Sequence, residues 1–288
     1  MPTTALLMVL AAAVCHAGWN FALKKAHGSG LSFYALLGIF EIVVWAIPVF
    51  IFMPDIHEIR PVWLLAMFGS AVIHIAYFWL LQRAYKAADF SLAYPLARAT
   101  GPLLSVLAAI VFLGESPSIA GIAGALLIIL GSIWIGLSGS KTTHLGPAQL
   151  KGIGFAILCG TMIATYTVWD QQSVTTYAVP VLFFYWGSIV MRIAISAPAL
   201  WIHRQSISTW MRQDRKALLA VAVLSPAAYL LVLGAMTIAP LSLVAPAREI
   251  SILLGVIAGA KLLQEGKMAS RLGAASLMVA GIAALGWG

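Results

Sequence analysis

Charge is what this sequence has least of. Asp, Glu, Lys and Arg make up 9% of its 288 residues against 62% hydrophobic ones, and the mean hydropathy is +0.98. A water-soluble fold would expose more apolar surface than one chain can hide, so composition alone makes this a polytopic membrane protein. Cysteine is almost missing too. Cys15 and Cys159 sit inside apolar runs at spacings that suit neither a disulfide framework nor a metal, and both read as small packing residues. No Gly-Lys-Ser/Thr phosphate loop occurs, which argues against a self-contained ATP-driven pump. His27, His57, His144 and His203 are scattered without metal-ligand spacing. Nor do Ser, His and Asp gather as a membrane-embedded enzyme would need. The sequence therefore calls for no catalytic residue, no metal and no cofactor. The first charges after the initiator, Lys24 and Lys25, follow the opening apolar run, so that run is expected to stay as a helix.

What is present is a duplicated pattern. The stretch AYPLARATGPLLSVLAAIVFLGE at 93–115 is echoed by VAPAREISILLGVIAGAKLLQE at 244–265. A shift of 150 lays Arg98 on Arg248, Leu113 on Leu263, Glu115 on Glu265 and Gly131 on Gly281. Upstream the shift is 151, and Ala84, Ala88, Ser91, Leu92 and Pro95 fall on Ala235, Ala239, Ser242, Leu243 and Pro246. Matching proline, arginine, glutamate and glycine in register points to repetition.

Apolar runs long enough to cross about 30 Å of hydrocarbon lie at 4–23, 31–53, 62–82, 90–113 and 118–138, then at 151–170, 179–202, 217–237, 240–263 and 268–287. The expected fold is all-α with ten transmembrane helices. Residues 1–138 form the first five-helix repeat, 139–150 the linker and 151–288 the second repeat. Loops after odd-numbered spans hold Lys24, Lys25, Arg83, Lys86, Lys141, Lys151, Arg204, Arg212, Arg215, Lys216, Lys261, Lys267 and Arg271, whereas those after even-numbered spans hold Arg60. Positive charge marks the cytoplasmic side, which puts both termini outside. Five is odd, so the second repeat enters from the opposite face and the two copies form an inverted repeat. The net charge of +8 is then a topology signal, with no nucleic-acid partner implied. The basic segment 204–216, with Trp210, reads as a cytoplasmic surface segment on lipid headgroups.

Ten spans as five plus five, each half carrying a Pro-containing helix that ends in Leu-Gly-Glu (113–115) or Leu-Gln-Glu (263–265) before a Gly-rich helix, resemble the drug/metabolite transporter superfamily and its EamA-type branch. The resemblance covers nearly the whole chain, most specifically 84–136 and 235–286. It implies a bacterial inner-membrane carrier that exports small metabolites, often amino acids. The aromatic-rich interior is similar to that of aromatic amino-acid exporters in the branch.

The residues make their own case for transport. Inverted repeats place a site near the midplane between halves, and interrupted helices point to it. Pro95 and Pro246 mark the fourth and ninth spans as interrupted, whether as bends for packing or as site markers. Arg98, Arg192 and Arg248 lie inside spans, where a charge must face protein or water. Arg98 and Arg248 are equivalent charges at mirrored depths. Each either takes a substrate carboxylate or pairs with Glu249 or Glu41. Glu41 and Arg192, one place from register, read as an ion pair across the halves, with gating or coupling as the alternative.

His74, Tyr77, Phe78 and Leu81 form one helical stripe. Trp19 and Asn20, Tyr94, Tyr166 and Trp169, and Tyr185 and Trp186 are candidates to join it around a cavity for flat apolar side chains. Against that, Trp63, Trp169, Trp201 and Trp287 lie near helix ends, where interfacial belts form. His74 serves equally as a hydrogen-bonded core residue. Small multidrug pumps of the superfamily carry a glutamate in the first helix for proton exchange; here His16, Trp19 and Asn20 stand there, and Asp170 falls only at the end of the sixth span. His16, His74, Glu41 and Glu249 remain groups able to titrate. The expected protein exports amino acids by alternating access without proton coupling. The alternative is a proton-coupled exporter of hydrophobic cations that needs a carboxylate such as Glu41. The glycines at 121, 124, 131 and 136 and at 273, 281 and 286 either brace the halves or form a dimer face, so monomer and dimer both remain open.

Overall fold

The computed structural model describes residues 1–24, 26–88, 90–138, 146–252, 254 and 268–287. Lys25, linker residues 139–145 and the stretch 255–267, which includes Lys261, Leu263, Glu265 and Lys267, lie outside the described residues; so do the side chains of Lys24, Ser91, Leu92, Tyr94, Pro95, Arg271 and Trp287. All described regular structure is helical: α1 (Thr3–Lys24), α2 (Gly30–Ile51), α3 (Pro61–Ala87), α4 (Phe90–Phe112), α5 (Ile119–Ser138), α6 (Pro147–Thr175), α7 (Val181–Ile202), α8 (Arg204–Gln213), α9 (Arg215–Met236), α10 (Leu241–Ala247) and α11 (Met268–Trp287), with a 3₁₀ turn at Ile56–Glu58. Six of these helices, α1, α2, α3, α6, α7 and α9, are long and apolar enough to cross a membrane, and Leu96–Phe112, Ile119–Trp134 and Gly273–Gly286 are shorter apolar helical runs. In hydrocarbon every backbone N–H and C=O must find a partner inside its own segment, which is why apolar sequence folds as helix. Outward faces are correspondingly greasy: Val43, Ile47, Phe50, Ile51, Phe112 and Ile119 are each at least two-thirds exposed, a cover that suits lipid and not water.

The helices pack in pairs. α1 lies on α9, α3 and α4 lie on α6, α2 on α7, and α5 on α11. Glycine sets the last contact. A Cβ on Gly124 would stand 2.7 Å from the Gly281 carbonyl oxygen, and one on Gly131 would stand 2.9 Å from that of Ala274. These backbones approach only because no side chain separates them, so these glycines join α5 to α11.

Two local devices fix the ends of elements. Gly114, at φ +67°, turns the chain out of α4 and lets the Glu115 N–H bond to the Ala109 carbonyl at 3.0 Å. The Glu115 carboxylate then accepts the N–H groups of Leu241 and Ser242 at 2.8 and 2.9 Å, capping α10 where the unpaired donors of a helix start favour an anion. On the side where α8 lies, the Asp214 carboxylate accepts the backbone N–H of His27 and of Gly28, both at 3.0 Å, and faces His27 Nδ1 at 2.9 Å. Burial works to raise the Asp214 carboxyl, but the bonds from His27 and Gly28 outweigh it and hold it below the usual carboxylate range. α8 itself buries none of its residues.

Three expectations change. α4 runs unbroken from Phe90 to Phe112 across position 95, as α2, α7 and α9 run across Pro48, Pro198 and Pro226; a proline removes one intrahelical bond and the flanking bonds carry the helix on. The break falls instead after Pro246, where α10 stops and Arg248 and Glu249 form a turn. Trp63 is not an interfacial residue: it is 5% exposed and donates its indole N–H to the Tyr177 carbonyl at 2.9 Å. Finally, α6 continues to Thr175, so Asp170 is inside a helix and not at its end.

Candidate functional site

The turn after α10 brings the intramembrane charges together. Glu249 Oε2 lies 3.0 Å from an Arg98 terminal nitrogen, and Glu249 Oε1 lies 3.9 Å from Arg248 Nε. All three side chains are buried, Glu249 at 1% exposure. The backbone here is tight: Glu249 N–H bonds to the Pro246 carbonyl at 2.9 Å and Ile252 N–H to that of Glu249 at 2.9 Å, three-residue spacings that mark an irregular turn. Two guanidiniums therefore share one carboxylate. Arg248 Nε and one of its terminal nitrogens have no hydrogen-bond partner among the described residues. His16 is close enough for both arginines to act on it electrostatically, and its Nδ1 accepts the Trp19 indole N–H at 3.2 Å.

Beside the arginines stands Tyr166 on α6. The His74 ring stacks on it at 4.3 Å, Tyr77 meets it edge-on at 5.7 Å and Tyr229 lies at 6.4 Å. The Arg248 guanidinium sits 5.9 Å from the ring centre, within reach of its negative face. His74 is oriented by the Ser70 carbonyl, 2.9 Å from Nδ1. Beyond it, the Tyr229 hydroxyl donates to Asp170 Oδ2. A cavity of about 20 Å³, lined in part by Ser70, His74, Tyr185, Ser188 and Tyr229, opens next to this group. That is room for one or two waters.

A second buried ion pair borders the same cavity, which Arg192 lines as well. Arg192 donates to Glu41 Oε2 and to the Tyr34 hydroxyl, both at 2.9 Å. Charge here is balanced. Phe78 stacks on Tyr34 at 4.2 Å and so turns away from Tyr166, while Tyr185 lies 5.6 Å from Tyr229.

Of the candidate residues, His16, His74, Tyr77, Tyr166, Arg98, Arg248 and Glu249 thus gather in one neighbourhood, with Trp19 reached through His16. Glu41 and Arg192 form their own pair, with Phe78 beside Tyr34. Trp186 bonds to the Ile42 carbonyl at 3.3 Å and lies near Phe50 at 6.3 Å, on the α2–α7 seam. Trp169 donates to the Ala66 carbonyl at 2.8 Å and lines an outer groove of about 710 Å³ among α3, α4 and α6. That groove holds no charge, and its Thr161 and Thr165 hydroxyls are spent on carbonyls of their own helix. Size alone does not make it the site. Asp170, Tyr229, Tyr34 and Ser70 are absent from the sequence-based candidates. Their signal was the repeat: Asp170 stands 150 places after Asn20, Tyr185 151 after Tyr34, and Tyr229 151 after Phe78.

The profile of the EamA-like transporter family matches residues 3–137 and again 150–287. The chain belongs to the EamA-like transporter family. It is a multi-pass membrane transporter of the drug/metabolite type. A crystal structure with 20% identical residues superposes with a TM-score of 0.79, covering 99% of this chain and 96% of its own; at that identity the likeness shows the fold alone. No curated protein sequence matches the chain.

Proposed function

We propose that this EamA-like transporter exports amino acids, favouring aromatic and other apolar side chains, by alternating access at the Tyr166 site in the bacterial inner membrane. The observation that carries the reading is the unspent guanidinium: Arg248 has no carboxylate but Glu249, which it shares with Arg98, within ion-pair distance among the described residues, and its Nε and one terminal nitrogen lack a hydrogen-bond partner there, beside the Tyr166 ring. A substrate carboxylate fits that deficit, because a guanidinium fork matches it and a water-poor site strengthens the contact. Rings of Tyr166, His74 and Tyr77 suit a flat side chain.

The carrier is read as ten spans in two inverted five-helix repeats, 1–138 and 151–288, joined by 139–150, with both termini periplasmic. Support comes from exchange of partners. α1 on α9 and α6 on α3 swap under the repeat, as do Tyr34 with Phe78 and Tyr185 with Tyr229. Gly124 with Gly281 and Ala274 with Gly131 also swap, 150 places apart. The small cavity is a closed form, which rocking of one repeat on the other would open to either side. Export is read as facilitative: Glu41, one carboxylate that a proton-coupled cation pump could use, is committed to Arg192, and Asp170 is assigned to the substrate below.

The test is uptake by proteoliposomes of labelled amino acids and one lipophilic dication, with and without a pH gradient. Amino acids are expected to enter without the gradient. Movement of the dication only with a proton gradient would overturn the substrate.

A further inference from the structure

Asp170 differs from every other buried carboxylate among the described residues. Glu41, Glu249 and Asp214 each have an arginine or histidine within ion-pair distance, and Asp170 has none. It is wholly buried. Oδ2 accepts the Tyr229 hydroxyl, and Oδ1 has no hydrogen-bond partner among the described residues. A bare carboxylate inside a bundle is costly unless it carries a proton or meets a cation.

Its position is also where the two halves diverge. Trp19-Asn20 on α1 and Trp169-Asp170 on α6 are 150 places apart, so the second half carries a charge where the first has an amide. Tyr229 on α9 meets the carboxylate directly and packs against His74 on α3 and Tyr166, one turn before Asp170 on α6, and the Arg248 guanidinium lies 5.9 Å from the Tyr166 ring. Tyr229, which holds the carboxylate, lines the small cavity together with Ser70 and Arg192. The rings of Tyr185 and Tyr229 line the same space, with Tyr166 packed 6.4 Å from Tyr229, and aromatic faces suit a compact ammonium group.

We propose that Asp170, with Tyr229, receives the ammonium group of the substrate while Arg248 receives its carboxylate, so that the site reads both ends of a zwitterion across the Tyr166 ring. The assignment rests on the amino-acid reading above. It means that neither a carboxylic acid without an amine nor an amine without a carboxylate is a substrate, since each leaves one buried charge unmet.

The test is counterflow of labelled phenylalanine in proteoliposomes, with unlabelled phenylalanine, 3-phenylpropionate or phenethylamine as competitor, in the native protein and in Asp170→Asn. Native carrier is expected to prefer phenylalanine over either analogue by about 100-fold or more. In Asp170→Asn the preference over 3-phenylpropionate should shrink to within about tenfold. The native comparison needs no variant to fold. Equal competition by 3-phenylpropionate in native protein, or unchanged preference in Asp170→Asn, overturns the ammonium site. A variant that keeps its preference and loses only a response to an imposed pH gradient overturns it too, in favour of a proton site. If no amino acid moves at all, the substrate reading fails and the ammonium site with it.

Discussion

Two buried charge clusters sit in one bundle, and they differ in arithmetic. Glu41 and Arg192 are one to one, with Tyr34 taking another guanidinium N–H. Arg98, Glu249 and Arg248 are two to one within ion-pair distance, set in a broken helix, with donors left over on Arg248 and with Asp170 near enough to act on Arg248 without pairing with it. The balanced pair leaves a single guanidinium N–H, Arg192 Nε, without a partner among the described residues, and braces α2 against α7. An unbalanced cluster is worth its burial cost only when something else arrives, and so it marks the ligand site.

Stability separates them most sharply. Removing one member of the balanced pair, as in Arg192→Met, strands the other, and a loss of about 3–5 kcal/mol is expected. Replacing both, Glu41→Leu with Arg192→Met, should restore most of it. Thermal unfolding in detergent reads both variants, and a double variant as unstable as the single one would break the comparison. At the surface, a smaller effect should follow the Asp214 clamp on the α1–α2 loop. Its carboxyl lies below its ordinary value of 3.8, so its contribution is complete above about pH 4 and falls away as pH drops through the lowered value. Asp214→Asn should flatten that acid limb and cost less than Arg192→Met. Hydrogen exchange at 26–30 measured against pH checks it.

The sequence carried the charged pairs further than the cavity. Glu41 and Arg192, and the arginines with Glu249, were visible because charge is rare inside spans and the repeat set their register. The stripe His74–Tyr77–Phe78 was half right, since a helical stripe is wide enough for Phe78 to serve Tyr34 while its neighbours serve Tyr166. Asp170 was misplaced because span ends were set by hydrocarbon thickness, and α6 runs on to Thr175. Tyr229 gave no local sign, lying among Ala and Leu; only its offset from Phe78 betrays it. The role of Glu115 as a cap on α10 was hidden for a similar reason, as it depends on a contact 126 residues away.

The most direct measurement is made on Arg248→Gln: its melting temperature beside its affinity for phenylalanine, by titration calorimetry against the native protein. Taking away the surplus charge should leave the protein at least as stable as before, while affinity falls by about 30-fold or more, the loss of about 2 kcal/mol or greater that follows when one partner of a buried charge contact is removed. Unchanged affinity, or a melting point lowered as far as in Arg192→Met, would contradict the account: the two clusters would then be the same kind of brace.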